Sequence, residues 1–360
     1  MGNDSATEKH LASAIRETKP GIARARNLWV DYYKAIGIIL VVYGHVARGI
    51  FSAGLQIDQS LFELVDSVIY SFHMPLFFFL SGIFLMASMA KRDSISLLRS
   101  KVDTILYPYV IWSLLQGMIE VALTHYTNGH TTVCEVLSFA WSPRAQFWFL
   151  YVLFFVFSLA ILVYRRSGFE WCTGVFIGSI LLYFFGGLLP DVYLIKMLDH
   201  NFVYFTAGVF TTFLLRKFNC VDTKWIFLSA VLFIFSQWLF HVEMGLRYNS
   251  GTASETLLLG LISIAFIVFL ANWLTRYNLR WLAYLGQQSM TIYLVHILAG
   301  SGCRIFLIKV LGITNVGIHL LFGTLGGLLL PLLFYIVCKR FGWTALFSPP
   351  KLLSIGRPTK

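Results

Sequence analysis

The sequence predicts an all-α fold, a polytopic integral membrane helical bundle of about ten transmembrane helices with both termini cytoplasmic. Three observations carry that expectation. Hydrophobic residues make up 58% of the 360 positions and charged residues only 12%, with a mean hydropathy of +0.73, outside the range of soluble domains. Apolar stretches of about 17 to 25 residues, the length that crosses ~30 Å of hydrocarbon, recur along the whole chain. The Lys and Arg between them alternate between rich and sparse segments, as the positive-inside rule requires of a multi-span protein.

In order, the spans are expected near 29–47, 67–89, 105–124, 147–164, 171–189, 200–215, 225–241, 256–274, 282–300 and 317–338. One alternating set of connecting segments holds 21 of the 28 Lys and Arg; Arg48, Arg144, Lys196, Arg247, Arg304 and Lys309 fall in the other, and Lys34 lies within a span. This bias puts both termini in the cytoplasm and favours an even number of spans. Residues 1–28 read as a cytoplasmic tail without the apolar core of a signal peptide. Residues 29–341 read as one ten-helix membrane domain and 342–360 as a second cytoplasmic tail. A plasma membrane location, the inner membrane of a bacterium, is expected.

The formal net charge of +11 follows from that charge sorting and from attraction to anionic lipid headgroups, so membrane lipids are expected partners and nucleic acid is not. Cys134, Cys172, Cys220, Cys303 and Cys338 show no CxxC or CxxH spacing, which argues against a disulfide framework or a metal site. P-loop and GxGxxG signatures are absent from the sequence. The chemistry belongs to the bilayer or its edge.

The first span carries Asp31, Lys34 and His45 in VDYYKAIGIILVVYGH. Ionisable groups in a span are costly and mark a site. Eleven helical steps bring Lys34 and His45 to nearly the same face, ~16 Å apart along the axis. In the second span, FHMPLFFFLSG supplies His73, Pro75, Ser81 and Gly82. Counting helical rise from the inner face puts His45, His73, His296 and Glu120 at a common depth of roughly 21 to 24 Å. Histidine near neutral pH accepts and returns a proton, the service that acyl transfer to a hydroxyl needs. Coenzyme A fits the spacing as donor: a cation at the cytoplasmic mouth for its phosphates and a base ~16 Å deeper for its thioester. Lys34, Arg92, Arg99 and Lys101 are the candidate cations. The outward segments Thr124–Gln146, Asp191–Asn201 and His241–Glu255 carry polar side chains suited to sugar hydroxyls.

These residues, with ILYPY at Ile105–Tyr109, FWFLYVL at Phe147–Leu153 and the late Gly286–His296 element, resemble the acyltransferase-3 family of integral membrane O-acyltransferases over almost the whole chain. The resemblance implies ten core helices, acetyl-CoA as the cytoplasmic donor and co-substrate, and acetylation of a hydroxyl on a cell-surface glycan or its lipid-linked oligosaccharide precursor. It makes polysaccharide-assembly proteins candidate partners. In that family the histidine ending the first motif is essential, which maps onto His45. An arginine commonly stands eleven positions earlier, where this chain has Lys34, as a branch resembling fucose and exopolysaccharide acetylases does; lysine keeps the charge without the planar fork. Asp31, Glu120 and His73 are the candidates to orient groups and balance charge around His45. Ser81, Gly82, Trp148, Tyr293 and His296 stand in the remaining motifs. A transporter or flippase of glycan intermediates is the competing reading, since many spans and polar groups at mid-depth fit one too.

Overall fold

In a computed structural model, residues 27–123, 131–165, 168–214, 222–250 and 253–356 are described; most of the N-terminal tail and Cys220 lie outside them. Helices account for 81% of the described chain, and nine stretches of it are long and apolar enough to cross a membrane. The remaining expected span, the sixth (200–215), is also a helix, Tyr193–Leu214. Lys196, Asp199, His200 and Asn201 in its first turns make it more polar than the other nine.

Helix α1 spans Leu28–Ser52, an apolar run without proline. The second span extends further back than its hydropathy predicts and is broken. It comprises α2 (Gln59–Tyr70), capped by the Asp58 carboxylate on the Leu61 N–H, then α3 (His73–Ile83) and α4 (Leu85–Met89). Pro75 enforces the break: its ring excludes continuous helix from the residues just before it but is tolerated in the first turn of a new one. The break sets His73 at the start of α3.

The third span joins α5 (Ser94–Lys101) through a π-helical turn (Val102–Leu106) to α6 (Tyr107–Ala122). The fourth pairs the short α7 (Val133–Leu137) with α8 (Trp148–Val163). There follow α9 (Phe169–Phe185), α10 (Tyr193–Leu214), α11 (Thr223–Trp238) and α12 (Ala253–Leu274). The ninth expected span, 282–300, divides into α13 (Arg280–Gln287) and α14 (Ser289–Lys309). The last helix, α15, spans Val316–Arg340.

Helix α1 is the hub and packs on α12, α13, α14, α15 and α3. Two close approaches set its surroundings. A Cβ on Gly82 of α3 would overlap the Phe205 carbonyl of α10, and one on Gly208 of α10 would overlap the Phe79 carbonyl of α3. Small residues let backbones touch where no hydrophobic force between helices exists in lipid. Gly286 of α13 does the same against the Asp31 carbonyl. The outer rim is apolar, as on α15, where Leu321, Leu325, Leu329, Leu333 and Ile336 recur at helical spacing with their side chains exposed, the expected lipid face. The described part of the C-terminal segment is tied down: Ser354 Oγ and the Gly356 N–H donate to Asp103 at 2.6 and 2.9 Å, and Trp112 Nε1 donates to the Leu346 carbonyl at 2.7 Å.

Candidate active site

The three histidines of the sequence reading converge from separate helices. The ring of His45, late on α1, lies 5.1 Å from that of His296 on α14 and 6.4 Å from that of Tyr70 at the end of α2. Tyr70 in turn packs 4.3 Å from His73. His73 Nδ1 donates to the Ile69 carbonyl at 3.0 Å and His296 Nδ1 to the Tyr293 carbonyl at 2.7 Å. A carbonyl only accepts, so both rings carry hydrogen on Nδ1 and present an Nε2 lone pair. The His296 Nε2 is buried without a partner. No hydrogen bond fixes the His45 ring among the described residues.

Two cavities meet at His45. The larger, about 710 Å³, runs along His45, Tyr70, His73, Trp148, Tyr204 and Tyr293, with polar contributions from Gln146, His200, Asn201 and Asn249. All three segments read as sugar-facing therefore reach it. The smaller, about 410 Å³, lies between His45, Glu120, His296, Arg304 and His319. Arg48 lines both. Its guanidinium forms a fork on Asp66 at 2.7 and 2.8 Å, donates to the Tyr248 hydroxyl at 3.0 Å and stacks 3.2 Å over the Tyr70 ring. Nη1 keeps no partner among the described residues, so a guanidinium N–H, its charge balanced by Asp66, is left beside the imidazoles. Behind it, His241 Nδ1 donates to the Gln237 carbonyl at 3.0 Å, which leaves Nε2 to accept from Ser67 Oγ at 2.8 Å. Ser67 Oγ accepts from the Tyr248 N–H at 2.8 Å, fixing the loop that carries Tyr248 and Asn249.

Glu120 reaches the smaller cavity, held by Gln116 Nε2 at 2.8 Å and Arg144 Nη2 at 3.4 Å. Tyr293 donates to the Gln146 carbonyl and sits with its ring 6.0 Å from His296. Trp148 lines the larger cavity and packs on Phe78.

The other expected residues lie elsewhere. Asp31 is buried fourteen positions before His45 on the same helix, ~21 Å along the axis, where Gln287 Nε2 donates to it at 3.3 Å. Lys34 belongs to the same end. There Lys101 lies 3.7 Å over the Phe157 ring, the charges of Arg92 and Lys34 act on it, and Arg92 donates to Ser100 Oγ at 2.8 Å. These three cations form one neighbourhood, suited to a phosphate-rich group; Arg99 is exposed. Neither cavity at His45 includes Lys34. Ser81 lines neither cavity, and Gly82 is the α3–α10 contact. Among the described residues, no group of three His, Cys, Asp or Glu side chains is arranged to hold a metal ion.

Sequence reasoning passed over Arg48, Asp66, Tyr70, Tyr248, Arg304 and His319. One signal was present: Arg48, Arg144 and Arg304 are among the six cations on the sparse side of the charge pattern, and all three line the site or hold a residue that does.

The arrangement offers an imidazole at the junction of two cavities, a second imidazole behind it and a guanidinium beside it. Comparison with known proteins agrees with that chemistry. The family model described as an acyltransferase domain, Acyl_transf_3, matches residues 27–336. Two relatives named Nodulation protein NolL are similar over part of the chain. The one from Sinorhizobium fredii (strain NBRC 101917 / NGR234) is 27% identical over 137 residues, 38% of this chain and 36% of the relative. That from Mesorhizobium japonicum (strain LMG 29417 / CECT 9101 / MAFF 303099) is 25% identical over 144 residues, 40% and 38%. The chain thus spans little more than a third of the length of these relatives. No solved structure matches it. With 27–336 covered by one family model, this multi-span membrane protein belongs to the acyltransferase-3 family.

Proposed function

We propose that the protein is a membrane-embedded O-acyltransferase that moves an acetyl group from cytoplasmic acetyl-CoA to a hydroxyl of a cell-surface polysaccharide or its lipid-linked oligosaccharide precursor. The observation that carries this is the unrestrained His45 ring where two cavities meet, 5.1 Å from His296. A sugar fits the larger cavity, whose aromatic faces, amides and hydroxyls suit ring carbons and hydroxyl groups. A glycan hydroxyl next to His45 loses its proton to the imidazole as its oxygen attacks the thioester carbonyl. The C–S bond breaks, and the thiolate recovers the proton to leave as coenzyme A thiol. In the alternative route His45 itself takes the acetyl group and passes it on. Arg48 faces the negative charge that develops on the carbonyl oxygen, and water exclusion strengthens that attraction.

For the donor, Lys34, Arg92 and Lys101 are the residues suited to the phosphates, and the ~16 Å from Lys34 to His45 is the reach of an extended pantetheine arm. This reading takes both termini as cytoplasmic, the bilayer as the inner membrane, and polysaccharide-assembly proteins as partners.

The test uses purified protein in nanodiscs with labelled acetyl-CoA and a membrane glycan fraction. Label is expected to reach glycan, and His45→Ala to lower the rate by about 10² to 10⁴. Wild-type transfer by His45→Ala would overturn the assignment of the base. Glycan movement across the bilayer without thioester consumption would overturn the enzyme reading in favour of a flippase.

A further inference from the structure

The smaller cavity holds a charge that acyl transfer leaves unused. Arg304, two turns past His296 on α14, is only 8% exposed. It donates from Nη1 to the Gly49 carbonyl and has no carboxylate partner among the described residues. The cavity's other cation differs: Arg48 is neutralised by Asp66, and the carboxylate in the wall, Glu120, is already paired with Arg144. Gly49 lies in the last turn of α1, whose dipole supplies roughly half a negative charge. The remainder is an uncompensated cation in a membrane span, an expensive arrangement that marks a ligand site when it lines a cavity.

A second observation points the same way. His319 on α15, 1% exposed, lines the same cavity. Its Nε2 donates to the Ile313 carbonyl at 2.9 Å, which leaves Nδ1 as the acceptor, and that atom is buried without a partner. A cation and an orphaned imidazole nitrogen together suit a phosphoryl group whose oxygens accept from Arg304 while a hydroxyl beside it, the P–O–H of a monoester or a sugar hydroxyl of a diester, donates to His319 Nδ1. The rest of the wall includes Ile119, Leu123, Ile297, Leu298 and Ile305, so whatever carries the phosphoryl group is apolar elsewhere.

We infer that this cavity binds the phosphoryl head of a lipid-linked glycan, with the hydrocarbon chain along the apolar wall and the glycan entering the larger cavity past His45 and Arg48, which line both. The identity of the glycan as acyl acceptor rests on the acyl-transfer reading; the lipid-phosphate site does not.

The experiment measures binding directly, by native mass spectrometry of the full chain, with a polyprenyl phosphate, the matching neutral polyprenol, inorganic phosphate and coenzyme A as probes. The polyprenyl phosphate is expected to bind at least about tenfold more tightly than the polyprenol or phosphate alone, the scale of one or two charge-assisted hydrogen bonds. Arg304→Met is expected to remove that preference and Arg304→Lys to keep part of it. Should Arg304→Met fail to fold, His319→Asn carries the test, with a weaker loss of the same preference. In the wild-type protein, absence of acetyl transfer together with Arg304-dependent lipid binding would sink the enzyme reading alone. Equal binding of polyprenol and polyprenyl phosphate, Arg304-independent binding, or an Arg304-dependent preference for coenzyme A would overturn the lipid-phosphate site.

Discussion

The two ends of α1 are built to opposite designs. At the His45 end the helix faces two cavities, and its side chains are held by others that reach across open space, as Arg48 is by Asp66 and Tyr248. At the Asp31 end it is close-packed. Tyr32 and Tyr33 are fully buried, with the Tyr32 hydroxyl accepting from the Leu279 N–H at 2.7 Å and the Tyr33 hydroxyl donating to the Leu76 carbonyl at 3.0 Å. Gly286 brings α13 against the Asp31 backbone. The difference teaches that one helix serves as both anchor and wall. Rigid packing at one end fixes its rotation, which decides where His45 points at the other.

Four substitutions break or sharpen that contrast. The largest effect is expected from His45→Ala, which should lower acetyl transfer by about 10² to 10⁴ while leaving thermal unfolding close to wild type, because the ring has no hydrogen bond to lose. Labelled transfer and an unfolding curve on the same sample check both halves. At the packed end, Gly286→Ala should do the reverse. Its methyl group meets the Asp31 carbonyl, so α13 must move, at about 1 to 3 kcal/mol of stability; unfolding in detergent measures this. A smaller, kinetic effect is expected of Lys34→Met: KM for acetyl-CoA should rise by about tenfold with kcat nearly unchanged, and Lys34→Arg should restore it, if Lys34 holds donor phosphates. Steady-state kinetics at two salt concentrations decide it, and a loss of kcat alone would place Lys34 in a different role. The smallest change is expected of Tyr70→Phe. The Tyr70 hydroxyl is buried without a partner, so its removal should shift stability by less than about 0.5 kcal/mol.

Much of the site was legible before any coordinates. Constant helical rise gave His45, His73, His296 and Glu120 a shared depth, and all four do reach the joined cavities. Asp31 shows the limit of that reasoning. It shares the span with His45, but ~21 Å of helix separates them, and its neighbour Gln287 comes from a distant segment. Gly82 was read as part of the site because glycine permits close approach, and the approach it permits is that of Phe205 on another helix. Arg304 and His319 looked like ordinary residues near span ends; nothing in their local sequence shows that one is buried without a counter-charge and the other has an orphaned nitrogen.

By itself, the sequence determined that this is a multi-span membrane protein, roughly where its apolar spans fall and which histidine heads the first motif. Hydropathy and helical rise are local properties, so they survive without knowledge of neighbours. Only the tertiary structure decided which faces meet: that Tyr70 bridges His73 to His45, that Arg48 is neutralised by Asp66 while Arg304 is not, and that two cavities share one imidazole. Those depend on helix breaks such as the one before Pro75 and on backbone contacts such as Gly82 with Phe205. These set the rotation and crossing of each helix, which no single span encodes.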